Sequence, residues 1–203
     1  MGSYISRKPI STLKKGVRPM DRRFEPRNEF SIGVPSDYQH GTQIETSVRR
    51  LVESGVVESV GKNLTDRNFS DVTARLVAGK PYKVNLFLVE SIASSEACLK
   101  FLKSIGALRV GAQGLLLVQS LAPQEFPYDS CVYSFDEKAK LFPEKVVAEI
   151  GRGRKKAGFV YQTPFASRDK KGLWGFDTAD FTRPLGLLGH EEKDYILCVR
   201  ELA

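Results

Sequence analysis

The sequence predicts an α+β domain, an antiparallel or mixed sheet with helices on one face, preceded by an extended basic arm. Three observations carry that prediction. Apolar segments of period 2 and of period 3.6 both recur. They do not follow the regular strand–helix order of a doubly wound parallel fold. The first 41 residues sustain neither period. At 203 residues, with 41% apolar and 27% charged, the chain is long enough for one sizeable core, and this composition excludes wholesale disorder, a coiled coil and a collagen-like repeat. The expected organisation is an arm over 1–41 and a single globular domain over 42–203.

Each element has its own signal. Thr42 with Glu45 reads as a capping box opening a helix whose Ile44, Val48, Leu51 and Val52 share a face, and Gly55 ends it. Val56 to Val60 reads as a short strand. The alternation over Val72–Ala78, the turn Gly79–Lys80–Pro81 and the β-rich run Tyr82–Val89 together read as a hairpin. Ser94 and Ser95 cap a helix carrying Cys98, Phe101, Leu102 and Ile105, which Gly106 stops. Gly111–Ala112–Gln113–Gly114 leads into the strongly apolar helix Leu115–Leu121, closed by Pro123 and expected at the centre of the core. Further strands are expected at Cys131–Phe135, Phe159–Tyr161 and Tyr195–Leu202, and Pro143 opens a helix running to Ile150.

The segments Gly106–Ala107, Gly111–Ala112–Gln113–Gly114–Leu115 and Tyr133–Ser134–Phe135–Asp136–Glu137–Lys138 together resemble a pattern seen in uncharacterised bacterial proteins. The resemblance implies a domain type and carries no chemistry.

No apolar run approaches the roughly 20 residues that cross a bilayer, and the N-terminus has no apolar stretch, so the cytoplasm is expected and a membrane partner is not. Three cysteines, Cys98, Cys131 and Cys198, stand far apart with no CxxC and no histidine at ligand spacing, which reads as buried reduced thiols. No cofactor or metal is signalled.

The formal charge of +7 is unevenly placed. Residues 1–42 hold eight Lys/Arg against four acids, and residues 152–171 hold seven against one. Such concentration points to a polyanion met through particular patches. The prolines and basic residues of 1–41 give an arm with no core of its own, while its scattered apolar residues suit docking.

The segment Gly151–Gly158 invites a phosphate-loop reading but lacks GxxxxGK[ST], and the third glycine of a dinucleotide fingerprint falls on Lys156. What remains is backbone-phosphate contact by Arg152, Arg154, Lys155 and Lys156, joined by Arg168, Lys170 and Lys171, with Arg22 and Arg23 in the arm. Tyr161, Phe165, Trp174 and Phe176 interleave with that segment, and Trp174 is the candidate for base stacking. Gly111–Gly114 has the GxxG form of a KH-type backbone clamp, against the alternative of a tight turn opening a buried helix. His190–Glu191–Glu192 with Asp194 reads as a solvated turn rather than an acid–base centre, and Asp177 with Asp180 as flanks of a turn over 175–181.

The function expected from these residues is a non-enzymatic binding protein that engages nucleic acid, or an assembly containing it. The alternative is an assembly subunit whose residues 1–41 dock on a protein partner. An enzyme of unrecognised type ranks third.

Overall fold

The computed structural model describes residues 21–136, 140–141, 160–181, 183–186 and 192–202. In chain order these form β1 (Phe24–Gly33), α1 (Gln43–Glu53), β2 (Val57–Val60), β3 (Pro81–Val89), α2 (Ser95–Ser104), α3 (Gly111–Leu121), a short 3-10 turn (Pro123–Glu125), β4 (Ser130–Tyr133), β5 (Lys140–Leu141), β6 (Val160–Arg168), β7 (Trp174–Asp180) and β8 (Lys193–Glu201). The main sheet runs β1-β3-β8-β4-β6-β7-β2, with β5 paired to β6 beside it. Pairing is parallel between β4 and β8 and between β2 and β7, and antiparallel elsewhere. The class is therefore α+β with a mixed sheet, as the sequence predicts. Among the described residues no helix is long and apolar enough to cross a membrane.

The central strands are apolar on both faces, and this distributes the helices. In β3, Tyr82, Val84, Leu86 and Leu88 join one buried cluster with Ile44 of α1 and Leu115, Leu116 and Val118 of α3. Phe87 and Val89, of the opposite parity, join a second cluster with Cys98, Phe101 and Leu102 of α2. The same split recurs in β8, where Leu197 and Val199 lie on the first side and Ile196 and Cys198 on the second. Where the sequence suggests one covered face, α1 and α3 cover one side and α2 the other, because β3 is apolar on both faces over Leu86–Val89, and β8 over Tyr195–Val199, and such stretches need cover on both.

Three element assignments are corrected. Residues 24–41, read as part of the arm, belong to the domain: β1 pairs with β3 from Phe24↔Val89 to Gly33↔Pro81, and Phe24, Ile32, Val34 and Tyr38 are buried. The proline and charges that suggest an arm are equally the marks of an edge strand. Pro26 sits at the register shift of β1, an irregularity of the kind at which strands tolerate proline. The first 20 residues of the arm lie outside the described residues.

The second correction is the hairpin. Residues 72–78 form no strand, and β3 takes β1 and β8 as neighbours instead. The alternation there comes from anchoring of an irregular segment: Val72 and Leu76 are buried, Thr73 donates from its N–H and hydroxyl to Asp136 at 2.8 and 2.6 Å, and Ala74 N–H donates to the Arg109 carbonyl at 3.0 Å. The helix expected over 143–150 lies outside the described residues.

Residues 175–181, read as a turn region, fall almost wholly within strand β7 (Trp174–Asp180). Gly175 stands where a Cβ would come 2.5 Å from the Ser167 hydroxyl, so the glycine there serves close strand packing rather than a turn.

Candidate ligand-binding cleft

α3 is buried from Gly111 to Gln119, a helix that is covered all round. A buried helix has to place its polar side chains somewhere, and its two glutamines do so differently. Gln113 is fully employed: its carbonyl accepts from Gly41 N–H at 2.6 Å and its amide donates to Asp66 at 3.3 Å. Gln119 is equally inaccessible, yet neither its amide nitrogen nor its carbonyl oxygen has a partner among the described residues.

Gln119 lines a cleft of about 630 Å³ between α1 and α3. The α1 wall is Ser47, Arg50, Leu51 and Ser54, whose spacing puts them on one helical face. Leu117, Ser120 and Leu121 supply the α3 wall in the same way. Pro35, Asp37 and Tyr38, from the connection after β1, close a third side, and Val56, Pro123 and Trp174 complete it. Exposed Val56 and Leu121 give the rim an apolar character, while Arg50 and Asp37 are its exposed charges. Its volume is in the range of small-molecule sites, and the lining is the usual mixture of apolar walls with a few polar groups.

The walls are held from a distance. α1 begins at Thr42, but the Thr42 side chain makes no capping bond. Asp66 supplies the cap, accepting from Ile44 N–H and Glu45 N–H at 3.1 Å each, and the same carboxylate receives the Gln113 amide. One side chain thus ties α1 to α3, the two helices that flank the cleft.

Trp174 is buried, stacked near Phe176 (centroids 6.0 Å apart) and edge-on to Phe126 at 5.6 Å. Arg168 holds it in place: its guanidinium lies 3.8 Å from the Tyr128 ring centroid and 5.2 Å from that of Trp174, and it donates to the carbonyls of Pro123 and Phe126 and to the Tyr128 hydroxyl. Arg168, expected on a phosphate, is therefore committed to protein groups. Trp174, expected as an exposed stacking platform, forms part of a cleft wall. Its neighbour Phe176 is buried, and Phe165 is half-buried against Tyr133 on the opposite side of the sheet.

Of the other expected basic residues, Arg152, Arg154, Lys155 and Lys156 lie outside the described residues. Lys170 and Lys171 are exposed in the turn between β6 and β7. Val160, where β6 begins, is eight residues of strand from Arg168, about 26 Å at ~3.3 Å per residue. Arg22 and Arg23 precede β1, and Arg23 pairs with Asp21 at 2.6 Å. Because Phe24 pairs with Val89, Leu88 with Tyr195, Tyr195 with Val132 and Val132 with Ala166, these arginines share one end of the sheet with Lys170 and Lys171. Four strand spacings separate them, roughly 20 Å.

The remaining motifs are structural. Gly111 to Gly114 is the first turn of buried α3, and a Cβ on Gly114 would meet Val110 at 2.3 Å, which is the tight-turn reading. Asp177 and Asp180, three apart on β7, point to opposite faces of the strand. Asp194 accepts from Gly186 N–H at 2.8 Å, and Glu192 accepts from the Cys131 thiol at 3.2 Å. His190 and Glu191 lie outside the described residues. Cys98, Cys131 and Cys198 are buried and unpaired, and burial raises the pKa of each thiol.

No family model, curated protein or solved structure matches this chain. Nothing in the sequence singles out Gln119 or Arg50; the one available signal is a glutamine on the most apolar of the described helices.

Proposed function

We propose that this chain is a binding protein whose ligand sits in the cleft between α1 and α3. The observation that carries this reading is the cleft itself, about 630 Å³ and walled by residues of α1 and α3. The apolar walls, the cleft volume and the Arg50 and Asp37 charges support the same reading.

Trp174 is the only tryptophan of the chain, so its fluorescence reports on this wall alone. Titration with benzamide, a small planar probe, is expected to change the emission saturably. The change should be lost in Leu121→Asp, which puts a charge on the exposed apolar rim of the cleft. Absence of any change, or one undiminished in the variant, overturns the proposal.

Nucleic-acid contact is a second reading. It is supported by the net charge of +7 and by the placement of Arg22, Arg23, Lys170 and Lys171 at one end of the sheet. Its signature is oligonucleotide binding that weakens with salt by about 0.7 in log–log slope per phosphate contact, with Trp174 emission unchanged.

A further inference from the structure

We infer that Tyr128 is a stacking platform for an unpaired base of single-stranded nucleic acid, with Lys170, Lys171 and Lys193 along its phosphates; this rests on the nucleic-acid reading and not on the cleft. Tyr128 is an exposed aromatic, 56% accessible, yet its ring is held still. The Arg168 guanidinium lies over one face, 3.8 Å from the centroid, and donates to the phenol oxygen at 2.8 Å. Arg168 is itself fixed by the Pro123 and Phe126 carbonyls. With one face covered and more than half of the side chain accessible, the other face meets solvent. A ring already positioned by the fold loses little side-chain entropy when a base stacks on it, and every base has the flat face required.

The lysines are tied to this ring by short links. A Cβ added at Gly172 would lie 3.5 Å from Tyr128 Cε1, which places the turn between β6 and β7 against the ring. Lys171 and Lys170 are the two preceding residues of that turn, at ~3.8 Å per residue, and both are exposed. The turn is braced by Asp169, whose Oδ1 accepts from the N–H groups of Lys171 and Leu173 at 2.8 and 2.7 Å. Lys193, also exposed, donates from its N–H to the carbonyl of Asp129, the neighbour of Tyr128, at 3.0 Å. Lys193 opens β8 and the turn follows β6, with β4 between them, so two strand spacings, roughly 10 Å, separate the cations that flank Tyr128. Glu25 and Glu90, which meet Arg27 at 2.7 and 3.1 Å, end this basic surface on the β3 side and keep the contact short. An acidic peptide offers charge to the lysines but no flat ring to Tyr128, and a duplex keeps its bases stacked on one another. An unpaired strand brings both the charge and the ring.

The experiment measures, by fluorescence anisotropy on the intact protein, binding of a labelled oligothymidylate and of an abasic strand of the same length and charge. The thymidylate is expected to bind about tenfold more tightly, the gain from one stacked base. Tyr128→Leu, a surface change, should bring the thymidylate down to the affinity of the abasic strand and leave the abasic strand unaltered. Tyr128→Phe, which keeps the ring, should retain the preference. Replacing Lys170, Lys171 and Lys193 together by Gln should weaken both strands alike and reduce the log–log salt slope by about 2. An oligouridylate run beside the thymidylate distinguishes RNA from DNA as the source of the base, and a Tyr128-dependent preference for either supports the inference. If the thymidylate binds no better than the abasic strand, or keeps its advantage in Tyr128→Leu, the nucleic-acid reading stands and the platform is overturned. A duplex that binds as tightly as the single strand overturns it too. Binding of polyglutamate in place of both strands makes the partner an acidic protein and overturns the inference, and if neither strand nor duplex binds, the nucleic-acid reading falls with it.

Discussion

Gln113 and Gln119 have the same chemistry on the same helix, and their surroundings separate them. Gln113 is bonded to Gly41 and Asp66 and so closes a structural network, whereas Gln119 meets no partner among the described residues. This gives a prediction that does not involve a ligand. Gln119→Met removes two unmet polar atoms while conserving shape and helix propensity, so the unliganded protein should gain about 1–2 kcal/mol and its Tm should rise by several degrees. Thermal unfolding of the two proteins checks it. A lower Tm in the variant would mean that ordered water already satisfies the amide. Arg168 teaches the converse lesson. Its charge reads as a phosphate contact, yet its fixed fork serves two backbone carbonyls and two aromatic rings, a role for which a guanidinium suits better than an ammonium.

At the scale of elements, the ends of helices show what local sequence can and cannot specify. α2 is capped as its sequence suggests, Ala97 N–H reaching the Ser94 hydroxyl at 3.3 Å. α1 has an equally good local signal in Thr42 and Glu45, but the side chain that satisfies its first N–H groups is Asp66. Asp66→Ala should therefore cost about 1–2 kcal/mol, since the cap, the favourable charge at the helix start and the tie to Gln113 all go together. Thr42→Ala should stay within about 0.5 kcal/mol. Urea midpoints of the two variants test the assignment, and equal losses would return the capping role to Thr42. The edge strand β1 belongs to the same lesson: Pro26, Arg27 and Glu29 make it look like linker, and only its pairing with β3 reveals a strand.

For the whole molecule, burial of the thiols sets a pH dependence. Desolvation raises Cys98 from 9.0 to about 12 and Cys198 from 9.0 to about 11. A group whose folded pKa lies above its unfolded value stabilises the fold fully below the unfolded value and loses that contribution as pH rises towards the folded one. Stability should therefore fall from pH 9 upward, through about 11 for Cys198 and about 12 for Cys98. Urea unfolding across that window is the measurement, with Cys98→Ala/Cys198→Ala expected to show a shallower decline. An identical decline would assign the effect to other groups, among them Tyr38, which burial raises to about 12.

The sequence by itself determined the α+β class, the positions of α1, α2 and α3, the central burial of α3 and the inert state of the cysteines. These follow from periodicity, from caps and from apolar content, whose physical causes act within a few residues. Tertiary structure alone decided that Phe24 to Gly33 is a strand, that the helices divide between two faces, that Trp174 lines a wall, and that Gln119 is left without a partner. Each of these depends on groups far away in the chain: Val89 opposite Phe24, Asp66 at the start of α1, Gly41 bonded to Gln113 rather than any such group to Gln119. Whether a polar group is satisfied is a property of all its neighbours at once, and a linear pattern records only those adjacent in sequence.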